Sequence, residues 1–351
     1  VRQGALLNDE QKERLQKINE ELSLLTVKFD NNLLAETNNY VLEVTREDLT
    51  GVPGAVRETA SDLAKSKGKE GSYMFTLHEP SRIPLLTYAK NREVREKIFK
   101  AYISRGSAGN EYDNRELVAE MARLRCEKAK LLGFDSYADY VTANEMAGSS
   151  AAVYELLEGV WNPALEKAKE ELSRMKILYS REEGSNNKFE AWDWWYYAEK
   201  VRKDKYQLDE EAVRQYLSLD NVRDGMFYLA NRLYGVTFRP IAAPRYHKEC
   251  TVYEVLDHDQ SHLGVLYIDP YPRKEKSGGA WCGNFVEQRY VDGVRKSPVV
   301  GIVCNFTPPV GDKPSLLTFD EAETMFHEFG HALHCLFADV RYRGLAEVEG
   351  D

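Results

Sequence analysis

The residues of this chain whose types and spacing could do chemistry are His327, Glu328 and His331, in the run His327-Glu-Phe-Gly-His331. On a helix, side chains four residues apart stack on one face. Two imidazoles one turn apart can both reach a tetrahedral Zn²⁺ at about 2.0–2.1 Å. Glu328 falls about 100° round the helix from His327. From there it can take a proton from zinc-bound water, whose pKa the metal lowers to about 7, before attack on a polarised amide carbonyl. His327 and His331 are therefore the candidate metal ligands and Glu328 the candidate catalytic base. The bland alternative is a solvated helix face that happens to carry two histidines. With this His and Glu content the pattern arises by chance in roughly one chain in a hundred, so its local context has to decide.

That context agrees with the chemistry. Thr318 to Val340 reads as one helix, with Thr318 as N-cap and Glu321 completing a capping box three residues on. Ala322, Met325, Phe326, Phe329, Leu333, Leu336 and Phe337 recur at helical spacing and predict one broad buried stripe. The two histidines lie away from it. His334 shares their face but sits about 4.5 Å beyond His331 along the axis. Three ligands from one straight helix make poor tetrahedral geometry, so His334 reads as a supporting or channel-lining residue.

The rest of the 351-residue chain must position this helix. Its 43% hydrophobic and 30% charged residues describe a globular protein with room for one large domain or two. No apolar run approaches the 18 or so residues of a membrane span. A net charge of −10 argues against nucleic acid or an anionic membrane as partner and is silent on peptides. Cys126, Cys250, Cys282, Cys304 and Cys335 are scattered singly, which reads as reduced core thiols rather than a disulfide frame. The chain starts at Val1 without an initiator Met or signal-like segment and stops at Gly350-Asp351. It reads as a piece of a longer polypeptide, cytoplasmic, with a periplasmic location left open. Oligomeric state is not legible.

From Asn8 the chain is mostly helical. Long helices are expected at 8–39, 114–132 and 149–179, shorter ones at 91–103, 209–216 and 220–234. A small strand pair is expected at Tyr40–Val44 and Ser72–Leu77, and a polar loop at Gly184 to Lys188. The aromatic run Trp192-Asp-Trp-Trp-Tyr-Tyr197 reads as packing between helices. His78 reads as a turn residue, and His258 and His262 as parts of a solvated hairpin. Residues 236–306 change character, with β-branched and aromatic runs that predict an antiparallel sheet. A sheet directly before the metal helix can hold an extended peptide on an edge strand. Leu263–Ile268 and Val299–Cys304 are the candidates for that edge.

Here a resemblance becomes specific. His327-Glu-Phe-Gly-His-Ala-Leu-His334 is similar to the signature of the thimet oligopeptidase family of zinc peptidases. Trp192-Asp193 with Tyr196-Tyr197, Tyr206-x-Leu208-Asp209, Tyr267-x-Asp269-x-Tyr271-x-Arg273 with Lys276 and Ala280, and Asn305-Phe306 resemble further family blocks. Phe337 to Arg343 and Ala280-Trp-Cys282 most resemble the peptidyl-dipeptidases. The resemblance implies a mainly α, zincin-like peptidase with a small antiparallel sheet before the HExxH helix. It implies a deep channel open to short, unstructured peptides, and one Zn²⁺. It also implies a third ligand, a Glu, expected beyond Asp351; Glu347 and Glu349 are too close to His331 to match. Residues 1–80 then form an N-terminal helical region and 81–351 the first part of a catalytic domain. The chain alone would be inactive. Two rivals stay open: an oligopeptidase-A-like endopeptidase, and a non-catalytic helical scaffold or peptide-binding module with an inert motif.

Overall fold

A computed structural model describes residues 2–184 and 187–346; residues 185–186 of the expected polar loop lie outside it. α1 (Asp9–Asn39) starts in a capping box between Asn8 and Gln11. β1 (Leu42–Val44) pairs antiparallel with β2 (Tyr73–Phe75), and α2 (Gly54–Ser66), entered through Pro53, lies between them in sequence. α3 (Glu79–Tyr88) begins at His78, the turn residue expected, and α4 (Arg92–Ile103) at Asn91, whose side chain accepts from the first-turn amides. α5 (Arg115–Leu131), α6 (Tyr137–Thr142) and α7 (Ser150–Glu183) follow. Val44, Leu49, Phe75, Leu85, Leu86 and Ile98 share one apolar cluster among these elements.

The aromatic run opens α8 (Trp194–Tyr206) and packs between helices as expected. Tyr197 is buried edge-on to Tyr179 of α7, with ring centroids 5.3 Å apart. Asp193, fully buried, accepts from Arg95 and from Arg92, which fixes the start of α8 against α4. α9 (Glu210–Arg214) and α10 (Leu219–Tyr234) lead to the sheet, α10 ending at Gly235 with φ +77°, a left-handed turn that glycine takes without strain.

The sheet contains β3 (Thr237–Pro240), β4 (Thr251–Leu256), β5 (His262–Asp269), β6 (Trp281–Val286) and β9 (Val299–Val303), in the order β3-β4-β5-β9-β6. Neighbours run antiparallel except β5 and β9, which are parallel. β7 (Arg289–Val291) and β8 (Val294–Lys296) form a separate hairpin across Asp292-Gly293, both at positive φ. One expectation is overturned. Neither Leu263–Ile268 nor Val299–Cys304 is an edge, because β5 and β9 both lie inside the sheet. The edges are β3 and β6. Continuous apolar runs belong to strands covered on both sides, and those two segments are such runs.

α11 (Phe319–Phe337) lies across the sheet. Met325, Phe329, Ala332 and Leu336 pack on Leu266, Ile268, Val300 and Ile302, with Val222 and Met226 of α10 closing the cluster. Each such fully buried Leu, Ile or Met contributes about 1.5–3 kcal/mol, so the sheet is what fixes the helix in place. The buried stripe differs from the expected one. Phe326 and Phe337 are 38% and 37% exposed, whereas Glu328 is buried. The stripe runs through Met325, Glu328, Phe329, Ala332, Cys335 and Leu336. The helix ends at Phe337, three residues short of Val340. No helix among the described residues is long and apolar enough to cross a membrane.

Candidate active site

Helix α11 is anchored at its first turn. Thr318 Oγ1 accepts from the Glu321 amide at 3.0 Å, and Glu321 Oε2 accepts from the Thr318 amide at 2.8 Å. The expected capping box is therefore present. Glu321 does more than cap: its Oε1 accepts from the Thr307 amide at 2.7 Å and from Thr307 Oγ1 at 3.0 Å. One carboxylate thus ties the start of α11 to the segment leaving β9.

Three turns on, the imidazoles of His327 and His331 converge. Their Nε2 atoms are 3.2 Å apart, with ring centroids 4.9 Å apart and planes inclined at 80°. Two bonds of about 2.05 Å from atoms at that separation meet at about 103°, close to a tetrahedral angle. That separation suits two ligands of one zinc ion. Both histidines are exposed, so a metal held between them would be open to water and substrate.

Glu328 is 7% exposed and turns toward the sheet edge. Its charge bears on two thiols, Cys282 of β6 and Cys304 just after β9. Hydrogen bonding to Cys335, burial and the Glu328 carboxylate together push the Cys282 thiol well up; burial leads the same shift at Cys304. Both stay protonated at neutral pH and add no competing charge beside Glu328. Asn284 Nδ2 donates to Cys335 Sγ at 3.4 Å, so alternate residues of β6, 282 and 284, face the helix.

Of the sequence candidates, the structure brings His327 and His331 together with Glu328 on the adjoining face. His334 is exposed on the same helix and makes no part of the imidazole pair. Among the described residues, no group of three His, Cys, Asp or Glu side chains stands ready to hold a metal ion. Glu347 and Glu349 lie outside the described residues. His258 and His262 are exposed at the β4–β5 turn, bonded to Asp257 and Glu254, as expected of a solvated hairpin.

A cavity of about 1690 Å³ opens beside the first turns of α11. Thr324, one turn before Glu328, and Ala280, just before β6, are on its wall. Trp194, Trp195, Tyr88 and Phe319 give it an apolar lining. Sequence reading missed β6, the edge strand beside the helix. Its signal was indirect: once the apolar runs of β5 and β9 are taken as central strands, the sheet needs another edge.

The chain matches the profile of peptidase family M3 over residues 85–349. It is 38% identical to organellar oligopeptidase A of Arabidopsis thaliana, over 99% of this chain and 46% of the relative. It is 37% identical to dipeptidyl carboxypeptidase of Salmonella typhimurium, over 98% and 50%. With oligopeptidase A of Haemophilus influenzae it shares 33% identity, over 99% and 52%. The chain spans about half the length of the curated relatives it matches.

Proposed function

The chain belongs to peptidase family M3, and from that membership we propose that it carries the metal helix and the substrate-holding strand of a zinc-dependent oligopeptidase. The observation that carries this reading is the 3.2 Å approach of His327 Nε2 to His331 Nε2 on a helix whose Glu328 is buried alongside. Zinc, when bound, supplies a Lewis acid that polarises a peptide carbonyl and brings the pKa of water to about 7. His327 and His331 hold it through Nε2. Glu328 takes a proton from the attacking water and passes it to the leaving amine. Glu328 lies in the buried stripe of α11, which shields that carboxylate from bulk water.

β6 is the strand that receives the peptide. It is an edge and it packs on α11. An extended peptide added there keeps its own backbone hydrogen bonds satisfied while its carbonyls pass the histidines. The adjoining walled cavity favours short, unfolded peptides over folded domains.

Removal of C-terminal dipeptides is the finer reading, supported by the resemblance of Ala280-Trp-Cys282 and Phe337 to Arg343 to peptidyl-dipeptidases. Relatives named dipeptidyl carboxypeptidase and oligopeptidase A match at similar identity, so products must decide. The test is the product spectrum of an N-acetylated, unstructured peptide incubated with the full-length protein, with and without chelator. Successive C-terminal dipeptides, lost on chelation and restored by zinc, are expected. Internal cuts would make it an endopeptidase, and cleavage that survives chelation would sink the zinc reading.

A further inference from the structure

The block Tyr267 to Ala280 has no part in the chemistry above, yet it holds a densely bonded charge cluster. Asp269 ends β5 and is 1% exposed; Lys276 is 4% exposed. The Lys276 ammonium donates to Asp269 Oδ1 at 3.0 Å, to the Asp269 carbonyl at 3.0 Å and to the Tyr271 carbonyl at 2.8 Å. Its three N–H donors match these three acceptors. Arg273 Nη1 donates to Asp269 Oδ1 at 2.7 Å, and the Tyr246 hydroxyl to Oδ2 at 3.0 Å.

The topology says what this cluster is for. The chain leaves β5 at Asp269 and enters β6 at Trp281, but β9 lies between those strands. Residues 270–280 must therefore cross the end of β9. The crossing is fixed at both ends. At its start, the Cys304 amide donates to the Asp269 carbonyl and the Phe306 amide to the Pro270 carbonyl, each at 2.8 Å. At its finish, Asn305 Nδ2 donates to the carbonyls of Ser277 and Gly279, at 2.9 and 2.7 Å. Lys276 closes the loop by folding back from the residue before Ser277 onto the loop's own first residues. The same exit from β9 runs on to Thr307, which Glu321 ties to the first turn of α11.

We propose that Asp269 and Lys276, with Asn305, are positioning residues for substrate: the clamp sets where edge strand β6 stands against the metal helix, and so where a bound peptide meets His327 and His331. The assignment rests on the reading of β6 as the peptide-holding strand. Neither residue touches the reacting atoms. Loss of the clamp loosens the crossing and the start of β6 while the α11 packing on β5 and β9 remains. Peptide binding suffers first, and turnover of bound peptide much less.

The experiment uses the full-length protein with Lys276→Met and, in case that buried change prevents folding, Asn305→Ala, which releases only the loop's finish. Metal content, steady-state kinetics and hydrogen exchange are read together. In either folded variant zinc stays at the wild-type level, and KM for an extended peptide rises about tenfold with kcat changed less than about threefold. Amides of residues 281–286 exchange at least about tenfold faster while those of α11 keep their protection. Faster exchange in β6 with unchanged KM would overturn the assignment while leaving the peptidase reading intact. Unchanged exchange in β6 would overturn it as well. A wild-type protein that holds no zinc or cleaves no peptide would instead remove the reading on which it rests.

Discussion

Gly264 of β5 lies directly beneath Leu336 of α11: a Cβ on the glycine would stand 2.7 Å from Leu336 Cδ2 and 2.9 Å from the Pro298 carbonyl oxygen. The leucine tip can turn aside, but the carbonyl belongs to the backbone and accepts from the Val265 amide. Gly264→Ala should therefore lift α11 from the sheet and cost about 1–3 kcal/mol, the range of an overpacked core. Urea titrations should show a lower midpoint at an unchanged slope. A variant as stable as wild type would mean that helix and sheet are not locked at this point.

Glu328 and its flanking histidines should separate cleanly by mutation. Glu328→Gln keeps the side chain's size and its place in the buried stripe but removes the base. Peptide hydrolysis should fall by about 10²–10⁴-fold with zinc content unchanged. His327→Ala or His331→Ala should lose metal and activity together. Metal analysis of the three purified variants settles the roles; a zinc-free Glu328→Gln protein would recast the carboxylate as a ligand.

Helix α11 was largely legible in the sequence because several local signals coincide there. Thr318 and Glu321 mark its start, and Met325, Phe329 and Leu336 mark its buried face. The buried position of Glu328 was less visible, since its stripe neighbours Ala332 and Cys335 are small and carry little hydrophobic signal. β6 was hidden for a different reason. Trp281-Cys-Gly-Asn-Phe-Val286 has glycine and asparagine at its centre and no β-branched run, so its strand character comes from pairing with β9. Strand order is a long-range property, and no local pattern states that the chain leaves β5, crosses β9 and returns as the edge.

Acid should weaken the clamp in a defined window. Burial by itself would raise the Asp269 carboxyl, but hydrogen bonds from Arg273 and Lys276 outweigh it and hold the group below the ordinary carboxylate range. With the folded value depressed, its stabilisation is complete above the unfolded value of about 3.9 and is lost as pH falls through the folded value. Asp269→Asn leaves two cations without their carboxylate and should cost about 3–5 kcal/mol at neutral pH. The gap to wild type should narrow as pH drops below about 4. Denaturation midpoints at pH 7 and pH 3 check this, and a gap that stays constant would place the pair's contribution elsewhere.

Peptide length should govern selection in the full-length protein. The cavity beside α11 and the edge at β6 accept an extended backbone, whereas a folded domain has its backbone hydrogen bonds already made. A set of unstructured peptides of increasing length should show kcat/KM collapsing once the chain exceeds what the cavity holds. A stable folded protein should survive under conditions that keep it folded. Its rapid digestion would contradict the walled-channel reading.

The last prediction concerns residues 1–351 by themselves. His327 and His331 converge on one point, but among the described residues no third donor joins them. Fully ligated structural zinc sites reach about 10–16 kcal/mol, so two of four ligands leave about 5–8. That corresponds to a Kd of about 1 μM to 0.2 mM. With two protein ligands the chain should also be silent toward peptides, since the remaining positions would go to solvent. Competition against a chromophoric chelator measures the affinity directly. A nanomolar Kd at one zinc per chain would place a third ligand inside this sequence, with Glu347 and Glu349 the first to replace.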